Sequence, residues 1–208
     1  DYKYKGEFGM PDWEKLTENL ERHGFTVSRF ASGREAAEYI NASLDGKTIG
    51  VGGSMTVKEL GLYDLLAAHN EVHWHWTGEG PAAREKAIEA QVYLSSVNGL
   101  AETGEIINID GVGNRVAGTL YGHEEVWFVV GVNKIAPDEA SALHRARNVA
   151  SPLNNRRTGK KTPCTVSCDQ CYDCQSPDRG CAALVVLWRK PAGIKTAHVV
   201  LVEEKLGY

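Results

Sequence analysis

Apolar residues recur along this chain with two periods, one typical of helices and one typical of strands. Positions 12–23 place Trp13, Leu16 and Leu20 on one helical face, whereas positions 48–53 form an apolar run that ends in glycines. Because helices and strands alternate through the first half, we expect right-handed βαβ units and a mostly parallel sheet covered on both faces. Further strands are predicted from apolar or alternating runs at 25–30, 72–76, 92–97, 105–109, 115–120, 126–132, 182–188 and 195–202.

Polar residues beside the helical stretches predict where the helices begin. The spacing Thr56-x-x-Glu59 is that of a capping box, in which two side chains satisfy each other's backbone N–H groups. The helix near the middle of the second half is expected to reach about residue 150. Hairpin-like spacing through 105–132 predicts an antiparallel portion beside the parallel strands. Candidate N-caps are Asp12, Ser32 and Asp138.

Composition fits an ordinary globular α/β protein. The 208 residues are 42% apolar and 24% charged, and they predict one domain over 12–208 after an N-terminal extension of residues 1–11. The net charge of −4 and the shortness of the basic stretch at 156–161 argue against a nucleic-acid partner. No run approaches the roughly 20 apolar residues of a membrane span, and the polar start shows no secretory signal. We therefore expect a cytoplasmic protein.

Five cysteines lie between Cys164 and Cys181 with the spacing C-x3-C-x2-C-x2-C-x6-C, and the rest of the chain has none. Thiolates repel one another unless a cation gathers them, so this density predicts a metal site at 162–181. Four thiolates suit a [4Fe–4S] cluster or a tetrahedral zinc ion. The run from Cys168 to Cys174 resembles a ferredoxin pattern, whereas zinc ribbons need two separated C-x2-C pairs and only half of that pattern is present. Spacing alone leaves free thiols open and permits Cys168 as a ligand.

A glycine-rich turn follows the predicted strand at 48–53. Its glycines allow a close approach of backbone to a ligand, and its hydroxyls and helix start favour an anion. The same glycines also suit a strand-to-helix turn for steric reasons alone. The turn lacks the dinucleotide fingerprint, which disfavours a nicotinamide dehydrogenase. Two nearby histidines, His73 and His75, are interpreted as structural.

Several segments together resemble one known family. Residues 98–117 form the longest match, and 50–56 and 130–135 are shorter ones. Three further matches lie at 147–154, 161–164 and 173–181. Over roughly residues 12–208 the chain is similar to the lactate-utilisation (LUD) domain family, in the branch with a C-terminal cysteine segment.

The resemblance implies a fold and a pathway. The fold is a three-layer α/β/α sandwich like that of ribose-phosphate isomerases and CoA transferases. The pathway is bacterial oxidation of lactate to pyruvate beside iron–sulfur redox partner proteins. Separately from the resemblance, the glycine-rich turn predicts a small anionic metabolite as ligand, and a homo-oligomer is left open. The resemblance favours Cys164, Cys171, Cys174 and Cys181 as ligands of a [4Fe–4S] cluster, with zinc as the alternative and Cys168 as a substitute ligand.

In related folds the ligand lies at the carboxyl ends of strands, and this suggests roles for polar residues of the matched segments. Glu102 or Asp110 would act as acid or base, and Arg115 would hold a carboxylate or phosphate. The alternative is that these are turn and ion-pair residues. Two other functions stay open, an isomerase- or transferase-type enzyme acting on a phosphorylated or CoA-linked acid, and a zinc-stapled, non-catalytic binding module. The remaining candidate ligand contacts are Gly52, Gly53, Ser54, Thr56, Asn98, Thr103, Gly104 and Asn114.

Overall fold

The computed structural model describes residues 8–208, so residues 1–7 of the expected N-terminal extension lie outside the described part. The strands are β1 (Thr26–Phe30), β2 (Thr48–Val51), β3 (Glu71–Trp74), β4 (Val92–Ser96), β5 (Gly99–Ala101), β6 (Ile106–Asp110), β7 (Glu125–Gly131), β8 (Ile135–Ala136), β9 (Ala183–Leu187) and β10 (Thr196–Val202). The α-helices are α1 (Trp13–Arg22), α2 (Gly33–Ser43), α3 (Met55–Glu59), α4 (Leu62–Ala67), α5 (Ala83–Glu89), α6 (Asn114–Leu120), α7 (Glu139–Arg145), α8 (Ser151–Arg157) and α9 (Cys164–Ser167).

Six strands form the central sheet in the order β1-β10-β7-β4-β2-β3, and every neighbouring pair is parallel. Side chains alternate between its faces with a period of two. In β7, Trp127 packs in the core with α2, α3 and α4, while Val126 and Phe128 pack in the core with α1 and α5. Helices therefore cover both faces, which confirms the predicted three-layer α/β/α sandwich.

A second sheet of four strands lies in the order β8-β5-β6-β9. Both β5 and β9 run antiparallel to β6, so the predicted antiparallel portion exists. This antiparallel pairing joins residues 105–110 to residues 183–187, however. Strand β7, which lies within the predicted antiparallel stretch 105–132, belongs to the parallel sheet instead. The cysteine segment leads directly into β9.

The predicted strand at 115–120 is wrong, because these residues form α6. Val116 and Leu120 are spaced equally well for a helix, and a short apolar run does not distinguish the two structures. The deciding contact is local: Asp110 Oδ2 accepts a hydrogen bond from Val116 N at 3.1 Å and satisfies a free N–H group of the first turn.

Three predicted N-caps are confirmed, and the capping box is not. Asp12 accepts from Lys15 N, and Asp138 accepts from Ser141 N. Ser32 forms a full capping box with Glu35. The helix predicted from Thr56 instead begins at Met55 and is capped by Ser54, and Glu59 bonds to Gly207 N.

The helix that starts after Asp138 runs past the predicted end at residue 150. A π-helical turn over Ala146–Ala150 joins α7 to α8, and Pro152 follows in the first turn of α8. Proline has no N–H and its ring crowds the preceding turn, so the wider turn accommodates it. The helix therefore reaches Arg157 and carries polar side chains toward the cysteine segment.

Candidate functional site

The carboxyl ends of four neighbouring strands open into one cleft of about 460 Å³. Ser54 follows β2, His75 follows β3, Asn98 follows β4 and Lys134 follows β7, and all four line the cleft. Parallel strands present the residues after their carboxyl ends at the same edge, which is where ligands bind in open α/β sheets. The fold thus gathers residues that are far apart in the sequence.

Basic side chains line the cleft, and among residues 8–208 the one acidic side chain in its lining is that of Asp110. A concave surface with one sign of charge attracts ligands of the opposite sign. The lining therefore favours an anionic ligand, although the whole chain carries a net charge of −4. The cations that line it are Arg84, Arg115, Lys134, Arg157, Lys160 and Arg179.

Lys134 is the most deeply placed of these cations, with 3% of its surface exposed. Its Nζ lies 2.8 Å from Thr56 Oγ1 and 3.0 Å from Ser96 Oγ. Burial lowers the pKa of this amine well below its usual value, and the charges of Arg145 and Arg115 lower it further, whereas Glu59 raises it. The surroundings of this amine therefore disfavour its charged form.

The imidazole of His75 also lines the cleft and lies beside the glycine turn. A Cβ at Gly53 would lie 3.6 Å from its Nε2. Burial lowers the pKa of His75, Arg84 and Arg157 lower it too, and Asp110 acts in the opposite direction. The lowered pKa favours the neutral ring, which can accept a proton.

Asp110 and Arg115 line the cleft but are extensively bonded within the protein. Asp110 accepts hydrogen bonds from Gly111 N and Val116 N, and Arg115 Nε lies 3.7 Å from its Oδ2. The Arg115 guanidinium also donates to Asn98 Oδ1 at 3.1 Å and to the Ile109 carbonyl. Both residues therefore build the wall of the cleft, and an acid–base or anion-binding role would require them to exchange these partners.

The structure brings some predicted ligand residues together and leaves others apart. Gly53, Ser54, Asn98 and Asn114 join Asp110 and Arg115 along the cleft. Gly52 and Thr56 lie outside the lining, and Thr56 supports Lys134 from behind.

Three of the predicted ligand residues do not line the cleft. They are Glu102, Thr103 and Gly104. Glu102 accepts from Asp12 N at 3.2 Å and lies 3.7 Å from Lys15, so it anchors the start of α1. Thr103 bonds to Glu105, and Gly104 packs beside His23.

Close packing explains the glycines of the turn. A Cβ at Gly50 would lie 2.2 Å from the Ala87 carbonyl oxygen, and one at Gly52 would lie 3.0 Å from Ser95 Oγ. Ser54 Oγ accepts a hydrogen bond from Val57 N and so caps α3, which leaves its hydroxyl proton as the donor for a ligand. The turn therefore contributes space and shape to the cleft.

A second cavity, of about 310 Å³, lies between the cysteine segment, α8 and β9. Four of the five thiols line it, and the fifth, that of Cys168, does not. Cys168 lies at the end of α9 with a φ of 55°. The four lining thiols are those of Cys164, Cys171, Cys174 and Cys181.

Hydrogen-bond donors surround these sulfur atoms. Asn155 Nδ2 lies 3.5 Å from Cys181 Sγ and 3.9 Å from Cys164 Sγ. Asp173 N lies 3.4 Å from Cys171 Sγ, and Arg147 approaches the same sulfur at 3.9 Å. Donors of this kind stabilise thiolates, which are the form that binds metal.

The cysteine segment is fastened to α8 by the basic residues of 156–161. Arg156 donates to the carbonyls of Thr165 and Val166 at 2.9 and 2.8 Å. Lys160 pairs with Asp178 at 3.2 Å. The basic stretch therefore holds the cysteine segment in place beside α8.

The two cavities share a wall. Five residues line both of them. The shared residues are Ile109, Ser151, Asn155, Arg179 and Cys181.

Within residues 8–208, no three His, Cys, Asp or Glu side chains converge closely enough to hold a single metal ion.

The sequence model of the LUD domain matches residues 13–202. The chain belongs to the LUD domain family. Among solved structures, this LUD domain is similar to a DUF162 family protein from Deinococcus radiodurans, whose crystal structure was determined at 1.70 Å resolution. The TM-score is 0.54, the identity is 13%, and the match covers 91% of this chain and 94% of that one. At this identity the similarity shows the fold alone. The search of curated proteins gives no match.

Several cleft residues of this LUD domain were not identified from the sequence. The sequence indicates a structural role for His75 and a core or interface role for Trp76, and it indicates no role for Arg84 or Tyr208. The signal that could have found His75 and Lys134 is their position just after predicted parallel strands.

For the described residues, every helix falls short of the length and apolar character that crossing a bilayer demands.

Proposed function

We propose that this LUD domain is an electron-transfer component of a system that oxidises lactate to pyruvate. In this proposal Cys164, Cys171, Cys174 and Cys181 hold a [4Fe–4S] cluster, and the adjacent cleft binds a small organic acid anion. The observation that carries the proposal is that these four thiols line one cavity that shares a wall with the cationic cleft.

The donor set fits an iron–sulfur cluster better than zinc. A tetrahedral zinc site needs four sulfurs about 3.8 Å apart around one ion. Side chains in residues 8–208 nowhere converge in that way, although four thiols surround one cavity. In a cluster each thiolate binds a different iron, so the sulfurs stand farther apart.

The protein's own residues would set the properties of the site. Asn155, Arg147 and the Asp173 N–H donate toward sulfur and would stabilise added negative charge. Arg179 donates to the carbonyls of Cys174 and Cys181 and lines both cavities, so it links the cysteine loop to the cleft. A [4Fe–4S] cluster would supply one-electron transfer when bound.

Lactate oxidation releases two electrons and two protons for each pyruvate formed. A centre that passes single electrons needs further carriers, and iron–sulfur redox proteins suit that task. Because Cys181 lines the cleft as well as the cysteine cavity, an anion in the cleft would lie beside the metal site. Binding of the acid and the redox state of the centre would then influence each other.

Anaerobic purification with iron, sulfide and zinc analysis tests the proposal. We expect about four irons and four sulfides per chain, with a broad absorbance near 400 nm that bleaches on reduction with dithionite. A colourless protein with one zinc per chain would refute the cluster and favour the zinc-stapled module.

The second candidate function is an isomerase- or transferase-type enzyme acting on a phosphorylated or CoA-linked acid. The charge of the cleft favours it, because a lining rich in basic side chains suits a phosphate as well as a carboxylate. Saturable binding and turnover of such esters by protein without iron would support this candidate over electron transfer.

A further inference from the structure

The amine of Lys134 is buried without an acidic partner. Among the described residues no carboxylate lies at ion-pairing distance from its Nζ, and its two contacts are the hydroxyl oxygens of Thr56 and Ser96. Thr56 in turn donates its own hydroxyl proton to the Leu206 carbonyl. A buried ammonium group without a counter-ion is costly, so this arrangement calls for an explanation.

The charged groups around Lys134 make the cost larger. Arg145 on α7 and Arg115 on α6 act on it with like charge, and Glu59 on α3 is the opposing charge. Glu59 itself accepts a hydrogen bond from Gly207 N. The protein thus keeps an amine at the carboxyl edge of the sheet, facing the cleft, and no carboxylate of residues 8–208 forms an ion pair with it.

The donor count of this amine fits one ligand oxygen. A neutral amine has two N–H groups and a lone pair, and the two hydroxyl oxygens can accept both N–H groups. When the lone pair takes up a proton, a third N–H becomes available. That third donor suits one oxygen of a carboxylate.

We propose that Lys134 recognises the carboxylate of a small organic acid in the cleft and takes up a proton as the acid binds. This deepens the proposed function, on which the identity of the ligand as an organic acid rests. The amine becomes an ammonium, the proton comes from solvent, and no covalent bond forms.

Calorimetric titration of the anaerobically purified protein tests the proposal directly. L-lactate and pyruvate are titrated at about pH 8 in two buffers with different heats of ionisation, and lactamide serves as the uncharged analogue. We expect uptake of about one proton for each bound acid, because a base that gains a negative partner gains proton affinity. Lactamide is expected not to bind.

Lys134→Met removes the amine while keeping a side chain of similar length. We expect the acid to bind roughly tenfold more weakly or worse, with no proton uptake. The free variant should unfold at the same temperature or higher, since an apolar side chain replaces a buried amine. Lys195→Met is the matched control, because it makes the same side-chain substitution at a position that is 75% exposed before β10.

Three outcomes would overturn the assignment: unchanged binding in Lys134→Met, binding without proton uptake, or no binding of either acid to the wild-type protein. A covalent adduct trapped on Lys134 by borohydride with pyruvate would also overturn it, because the amine would then act as a nucleophile. Iron analysis on the same samples separates the two proposals. Iron without acid binding overturns the role of Lys134, and acid binding without iron overturns the cluster.

Discussion

Asn155 donates from its side-chain amide to Cys181 Sγ across 3.5 Å, and both residues face the cysteine cavity on one side and the cleft on the other. Asn155 is buried, with 3% of its surface exposed, so water does not compete strongly for this amide. Hydrogen bonds to cluster sulfurs stabilise the reduced, more negative state. The contact therefore gives a direct way to test whether the cysteines hold a redox centre.

We expect Asn155→Leu to lower the reduction potential of the centre. A hydrogen bond that is stronger in the reduced state by about 1 kcal/mol corresponds to roughly 40 mV for a one-electron couple. Redox titration followed by absorbance or electron paramagnetic resonance measures the shift. Asn154→Leu is the matched control, because the Asn154 amide oxygen bonds to Arg157 and Tyr208 rather than to sulfur. Equal shifts in both variants would contradict the role of Asn155.

The cysteines themselves separate into two groups that mutation can distinguish. Cys174→Ala is expected to lose most of the bound iron, because Cys174 lines the cavity. Cys168→Ala is expected to retain the wild-type iron content, because Cys168 lies outside the lining. Iron and sulfide analysis after anaerobic purification measures both. Loss of iron in Cys168→Ala with retention in Cys174→Ala would show that Cys168 is the ligand in its place.

Local rules predicted much of this fold from the sequence. Asp12, Ser32 and Asp138 cap helices as expected, since a cap depends on a few neighbouring residues. The alternation of strands and helices likewise predicted the parallel sheet. The short run that became α6 was misassigned, because seven residues carry too few turns to define a period.

The cleft was harder to predict because it joins residues that are distant in sequence. Lys134 and His75 meet the glycine turn only after four strands have been placed side by side. Glu102 belongs to the same matched segment as Asp110, yet it turns toward α1 and anchors Asp12. The direction of a loop side chain depends on its tertiary partners, and neither composition nor spacing reports them.

We expect Gly50→Ala to destabilise the domain through overpacking. The added methyl group would lie 2.2 Å from the Ala87 carbonyl oxygen, so α5 would have to move away from the sheet. Overpacking of this kind costs about 1–3 kcal/mol in the free energy of unfolding. Urea denaturation measures the loss.

The control for that substitution is Gly78→Ala, because a Cβ at Gly78 would meet no atom within 4 Å. Its unfolding free energy is expected to stay close to that of the wild-type protein. A Gly50→Ala variant as stable as Gly78→Ala would show that α5 can move away from the sheet with no loss in the free energy of unfolding.

The last prediction concerns the carboxylate that caps α6. Burial opposes ionisation of Asp110, but the Arg115 guanidinium and the backbone N–H groups of Val116, Gly113 and Gly111 outweigh it, so the pKa of this carboxyl lies below its usual value. A lowered folded-state pKa means that the ionised carboxylate stabilises the fold fully above the unfolded-chain pKa of about 3.9. That contribution is lost as the pH falls through the folded-state pKa.

Asp110→Asn should therefore cost about 2–3 kcal/mol in unfolding free energy at neutral pH, because it leaves the mostly buried Arg115 without its counter-ion. The difference between wild type and variant should shrink as the pH is lowered below about 4, since the wild-type carboxyl then becomes neutral as well. Glu124→Gln is the control, because its ion pair with Lys195 is exposed and contributes about 0.5 kcal/mol or less. A difference that stays constant down to acid pH would contradict the charge-based explanation and leave the loss of packing as the cause.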